Sequence, residues 1–164
     1  MNIFEFAMKM EEDGRKFYLE HAAKQASPHL KRILEELADD ERKHYAIFKS
    51  LNEGLPAEFE RTRETKILSS VRNVFETLKS ERKELSFPPD AQQIWEQARE
   101  IEKKSEDFYR QKAGEVTLSE QKQILNRIAD EEHKHWVTVE SVIKFLDRPR
   151  HWLEDAEWSN LEEY

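Results

Sequence analysis

The chain repeats itself at a shift of 91 residues, and the repeated pattern is helical. Segment 33–48 (ILEELADDERKHYAIF) laid over 124–139 (ILNRIADEEHKHWVTV) agrees at 7 of 16 positions, where unrelated sequences would agree at about one. The same shift sets 11–22 over 102–113 and aligns Glu11 with Glu102, Phe17 with Phe108, Tyr18 with Tyr109 and Ala22 with Ala113. A chain of 164 residues built this way is restricted to two like units that bury a common core.

Each unit reads as a helical hairpin. The first helix spans about 2–25, and Ser27-Pro28 supplies an N-cap and a first-turn proline for a second helix of about 28–52. Segment 57–87 is less regular, but Ile67, Leu68, Val71, Val74, Phe75 and Leu78 predict a short helix within a long connection. After Phe87-Pro88-Pro89, Asp90 offers an N-cap to a third long helix ending at Gly114, and a fourth covers about 119–147. Residues 148–164 form a tail with Trp152, Trp158 and Tyr164, expected to cover the bundle or a subunit interface. Only 3 Gly and 5 Pro leave too few turns for an all-β fold. The expected fold is all-α: a four-helix bundle over 1–147, two hairpins joined by a crossover that contains a short helix.

The apolar stripes carry the chemistry. In the second helix Leu30, Leu34, Leu37, Phe48 and Leu51 leave gaps filled by Glu41 and His44. In the fourth, Leu125, Ile128, Val139, Val142 and Leu146 leave gaps filled by Glu132 and His135. Glu11 fills the gap among Phe4, Ala7, Gly14 and Tyr18; Glu102 fills the one among Ile94, Ala98, Ser105 and Tyr109. Glu11 and Glu41 both lie about 22 Å from the first turn, so a bundle brings four carboxylates and two imidazoles to one height. Buried without partners, such carboxylates cost several kcal/mol each. Two divalent cations cancel four negative charges, and Glu plus Glu-x-x-His from each half is the di-iron or di-manganese pattern of helix bundles. The plainer reading, a structural polar network, is weighed against a ligand pattern complete in both halves.

Composition removes the competitors. With no Cys, disulfides, thiolate metal sites and cysteine nucleophiles are excluded. A net charge of -8 argues against a nucleic-acid partner. No apolar run approaches the roughly 18 residues of a membrane span, and the first residues lack signal-peptide character, so the expected location is cytoplasmic.

On Glu11-x-x-Gly-x-x-Phe-Tyr18, Asp40-Glu41-x-x-His44, Glu102-x-x-Ser-x-x-Phe-Tyr109 and Glu131-Glu132-x-x-His135, the chain resembles the rubrerythrin branch of the ferritin-like superfamily. The resemblance spans about 3–51 and 94–146. It implies a non-haem di-iron centre reacting with peroxide or dioxygen. Glu41 and Glu132 would bridge, Glu11 and Glu102 would be terminal ligands, and His44 and His135 would each bind one iron. Rubrerythrins proper also carry a rubredoxin domain with iron on four Cys; none is present here, so the electron donor would be a separate protein. The family's further glutamate on the third helix is missing as well, with Arg99 one turn before Glu102.

Around the ligands, Asp40 and Glu131 either hydrogen-bond the opposite histidine, as the resemblance implies, or are solvated charges. Tyr18 and Tyr109 are core residues with a hydrogen bond, or else they support the ligands or serve as radical sites. Gly14 and Ser105 leave room for metal and oxidant or simply allow close helix approach. His21, His29, His133 and His151 fall off the ligand positions and read as surface residues. The leading expectation is a di-iron peroxidase or oxidase acting as a homodimer or larger homo-oligomer. Iron oxidation and storage in a ferritin-like shell is the alternative, and a helical interaction module with a structural metal site is the non-enzymatic one. Two near-copies on a long connection also permit hairpin exchange between subunits.

Overall fold

The structure, a computed structural model, describes residues 1–55, 64–81, 85–155 and 157–163. It is 85% helical, with no strand among the described residues. Helix α1 (Ile3–Lys24) starts where the Asn2 side chain accepts a hydrogen bond from the Glu5 amide, 2.8 Å. A three-residue turn leads to α2 (Pro28–Asn52), capped by Ser27 Oγ accepting from the Leu30 amide. The end of α2 needs its glycine. Gly54 has φ +74°, and the Gly54 and Leu55 amides donate to the carbonyls of Leu51 and Ser50, closing a Schellman motif.

Helix α3 (Ile67–Glu81) is the short helix of the crossover, and all six of its apolar residues named above are buried. The second hairpin is α4 (Ala91–Glu115) and α5 (Ser119–Asp147). Asp90 holds the N-cap position of α4, but its side chain makes no capping bond. Gly114 does not end α4, which runs one residue further. In the first turns of α4 the large, fully buried side chain is Trp95, while Ile94 is half-buried. Each hairpin packs mainly against itself, α1 on α2 and α4 on α5.

The tail forms α6 (Pro149–Glu154) and a 3-10 helix (Glu157–Glu163). Trp152 and Trp158 bury against Phe75 of α3, with ring centroids at 5.5 and 6.1 Å, and Trp158 Nε1 donates to the Leu153 carbonyl. Tyr164 lies outside the described residues. No helix among the described residues is long and apolar enough to cross a membrane.

The core is divided. One apolar cluster gathers Tyr18, Leu34, Phe75, Trp95 and Phe145; a second gathers Ala7, Phe48, Tyr109, Leu125 and Ile128. The six stripe-gap residues are buried as well. Tyr18 in one cluster and Tyr109 in the other reach them through their hydroxyls.

Candidate metal centre

The four long helices deliver Glu11 from α1, Glu41 and His44 from α2, Glu102 from α4, and Glu132 and His135 from α5. None of the six is more than 1% exposed. They form two groups, Glu11, Glu41, His44 and Glu132 in one, Glu41, Glu102, Glu132 and His135 in the other. Within each group one donor atom per residue lies within 4.8 Å of all the others. Glu41 and Glu132 belong to both.

Each imidazole turns Nδ1 to the carboxylates. His44 Nδ1 lies 2.8 Å from Glu132 Oε1 and 3.5 Å from Glu11 Oε2. His135 Nδ1 lies 3.1 Å from Glu41 Oε1 and 3.4 Å from Glu102 Oε1. The far nitrogen is held across the hairpin boundary. His135 Nε2 meets Asp40 Oδ2 at 2.9 Å, and His44 Nε2 meets Glu131 Oε1 at 3.2 Å. A proton on Nε2 donated to that carboxylate leaves the Nδ1 lone pair free for a cation. Glu11 and Glu102 are fixed in the same crossed way: Tyr109 Oη donates to Glu11 Oε1 at 2.6 Å, and Tyr18 Oη donates to Glu102 Oε1.

Two residues outside the expected set support the Asp40 and Glu131 carboxylates. Thr65 Oγ1 donates to Asp40, tying the crossover to the partner of His135. Arg127 Nε donates to Glu131 Oε2 at 3.3 Å. Arg127 stands four residues before Glu131, a spacing that suggests a helical ion pair; Thr65 sits outside any periodic segment and gave no signal. Arg99 pairs with α5, its Nη1 2.7 Å from Glu140 Oε2, while Ala98, Ser105 and Glu106 are the buried neighbours of Glu102 along α4. His133 and His151 are exposed as expected, but His21 and His29 are half-buried. His21 packs against Phe17 with the rings tilted by 60°, and His29 reaches Glu81 of the crossover helix, 3.2 Å away.

The electrostatics are those of a layer with too much negative charge. Burial, then neighbouring glutamates, pushes the Glu41 and Glu132 carboxyls well above the ordinary 4.5. Burial alone would lower the histidines. The carboxylates, Glu11 first for His44 and Glu102 first for His135, hold both imidazoles well above 6.5. Burial also opposes charge on Glu102, but His135 and its hydrogen bonds prevail and lower it. Burial, then Glu102 for Tyr18 and Glu11 for Tyr109, raises both phenols, so both remain donors.

Hydrogen bonds do not complete this layer. Glu11 Oε2, Glu41 Oε1, Glu102 Oε2, both oxygens of Glu132 and Nδ1 of both histidines are buried without a hydrogen-bond partner. The 2.8 Å approach of His44 to Glu132 lacks hydrogen-bond alignment. Each unsatisfied group costs about 1–3 kcal/mol, more when charged. All seven atoms belong to the six convergent residues, and two divalent cations would satisfy them and balance the four carboxylates.

Gly14 is part of the fit. A Cβ at Gly14 would stand 3.1 Å from Glu41 Oε2. Gly14→Ala should raise metal-free stability by up to about 1 kcal/mol through helix propensity. It should weaken metal binding about ten-fold by displacing the Glu41 carboxylate. Thermal melting of the metal-free chain and a Mn(II) titration check the two signs separately.

A helix bundle whose hairpins each deliver Glu and Glu-x-x-His into one buried layer is a carboxylate protein shaped for two metal ions. The family model for rubrerythrin matches residues 2–156, and the chain belongs to that family, whose members are di-iron carboxylate proteins of the oxidoreductase type. No curated protein and no solved structure matches it.

Proposed function

We propose that this protein is a non-haem di-iron oxidoreductase that reduces hydrogen peroxide or dioxygen with electrons from a separate donor protein. The observation that carries the reading is the set of seven unsatisfied donor atoms on Glu11, Glu41, His44, Glu102, Glu132 and His135. Glu11 and His44 would hold one iron, Glu102 and His135 the other, with Glu41 and Glu132 shared between them. Iron is chosen over manganese on the chemistry of the family. An iron pair supplies two electrons and Lewis acidity to a bound oxidant.

The chain's own residues supply position and protection. Asp40 and Glu131 set the tautomer and ring orientation of the two histidines. Tyr18 and Tyr109 each hold one oxygen of a terminal glutamate and leave the other for metal. The two apolar clusters keep bulk water from the polar layer. The chain contains no cysteine for a rubredoxin-type iron, so electrons arrive from outside it. A cytoplasmic homodimer or small homo-oligomer is part of the same reading; a sizing column showing a large hollow shell would favour iron storage instead.

The test is anaerobic reconstitution with Fe(II), then titration with peroxide. The expected result is two irons per chain and one peroxide consumed per iron pair. Two electrons break the O–O bond, two protons are taken up, and two waters form as both irons become ferric. Zero or one iron per chain, with no ferric absorbance on adding peroxide, would overturn the assignment.

A further inference from the structure

The two-fold likeness of the hairpins breaks down at the surface. Between α1 and α2 a groove of about 260 Å³ is lined by Glu11, Glu12, Arg15, Arg42 and Tyr45. It reaches a member of the metal centre, Glu11, whose Oε2 has no hydrogen-bond partner. A shift of 91 residues carries Glu12, Arg42 and Tyr45 onto Lys103, His133 and Trp136. These three line a groove of about 370 Å³ on the opposite hairpin, and its walls do not include Glu102.

The difference has a local cause. The counterpart of Arg15 is Glu106, which is buried and held by Arg110 Nε at 3.0 Å. Its other oxygen meets His133 Nδ1 at 3.1 Å, and His133 stacks on Trp136 with ring centroids 5.9 Å apart and planes within 8°. With that trio in place the α4–α5 groove stops short of the centre. A third cavity, of about 320 Å³, reaches Asp40 and Thr65 but none of the six convergent residues.

We infer that the α1–α2 groove over Glu11 is the port through which small neutral or anionic ligands reach the metal centre, and that the α4–α5 face is closed to them. The inference rests on the metal-binding reading above. The charges at the mouth select the ligand class. Glu12 is matched by Lys16 at 3.1 Å and Arg42 by Asp39 at 2.9 Å. Arg15 makes no ion pair among the described residues and is the uncompensated cation. A free guanidinium at the mouth attracts a small anion and admits a neutral peroxide, but repels a divalent cation.

The absence of cysteine provides the test, because E12C and K103C place a unique thiol at equivalent points of the two grooves. Each variant is loaded with iron, oxidised, and compared with itself before and after reaction with a bulky maleimide. Azide is the probe, followed by stopped-flow through its charge-transfer absorbance. Labelled E12C should bind azide at least ~10-fold more slowly than its unlabelled form, whereas labelled K103C should stay within about two-fold of its own. Iron content should be the same throughout. Two irons per chain with azide rates indifferent to the E12C label, or slowed equally by the K103C label, would overturn the port alone. A chain that takes up no iron would overturn the metal reading and the port with it.

Discussion

Glu41→Gln and Glu132→Gln should each abolish paired metal binding while leaving the metal-free fold almost untouched. The two carboxylates are the ones common to both groups of donors, so on the proposed function each substitution would remove a ligand from both metal positions at once. Loss of an outer hydrogen-bond partner typically lowers metal affinity 10–100-fold, and loss of a shared direct ligand should exceed that, about 10³-fold for the second ion. In the metal-free chain, burial and neighbouring carboxylates keep Glu41 and Glu132 protonated well above the usual range. A glutamine is close in shape and charge to a protonated glutamate. Metal-free stability should therefore shift by less than about 1 kcal/mol. Metal content after Fe(II) loading and metal-free denaturant midpoints measure the two halves. Variants that still bind two irons and turn over peroxide would sink the assignment; variants that unfold without metal would show the glutamates to be structural.

The contrast between the two hairpins explains how much of this was readable beforehand. A charged residue in the gap of an apolar stripe is visible because a helix repeats every 3.6 residues, and Glu41-x-x-His44 and Glu132-x-x-His135 each fill two gaps of one stripe. The crossover helix was legible for the same reason, since Ile67, Leu68, Val71, Val74, Phe75 and Leu78 fall on one face. Neighbouring positions on a stripe edge are harder. Ile94 and Trp95 both satisfy the spacing toward Ala98, and only packing decides that Trp95 turns inward. The same ambiguity holds one turn before Glu102, where position 98 lies on the buried face and Arg99 on the outer one. Pairs made by the tertiary path left no local trace. Thr65 reaches Asp40 across 25 residues of chain, and His29 reaches Glu81 across 52. The open groove at Glu11 could not be read from the repeat, because the repeat argues for likeness and the groove arises from the difference between Arg15 and Glu106.

Metal removal should cost the protein about 20 °C in melting temperature, and the loss should grow with pH. At free metal about 1,000-fold above its dissociation constant, each site contributes about 4 kcal/mol, so two contribute about 8. A chain of this size loses roughly 2–4 °C per kcal/mol. The pH dependence follows from which groups hold protons. Glu41, Glu132, His44 and His135 all have folded values raised well above the ordinary 4.5 and 6.5. A raised group stabilises the metal-free fold fully below its unfolded value, and that contribution is lost as pH rises through the folded one. Asp40, Glu102 and Glu131 are lowered from 3.8 and 4.5, so their contribution stands above those values and disappears only as pH falls through the folded ones. The metal-free chain should therefore be most stable in mildly acidic solution, melting higher at about pH 5.5 than at about pH 8. The loaded chain should show the reverse order, because metal must displace those same protons and binds more weakly as pH falls. Calorimetry of both forms across this range gives two curves that converge toward acid. A metal-free curve that rises with pH, parallel to the loaded one, would mean that Glu41, Glu132, His44 and His135 do not carry the protons this geometry gives them.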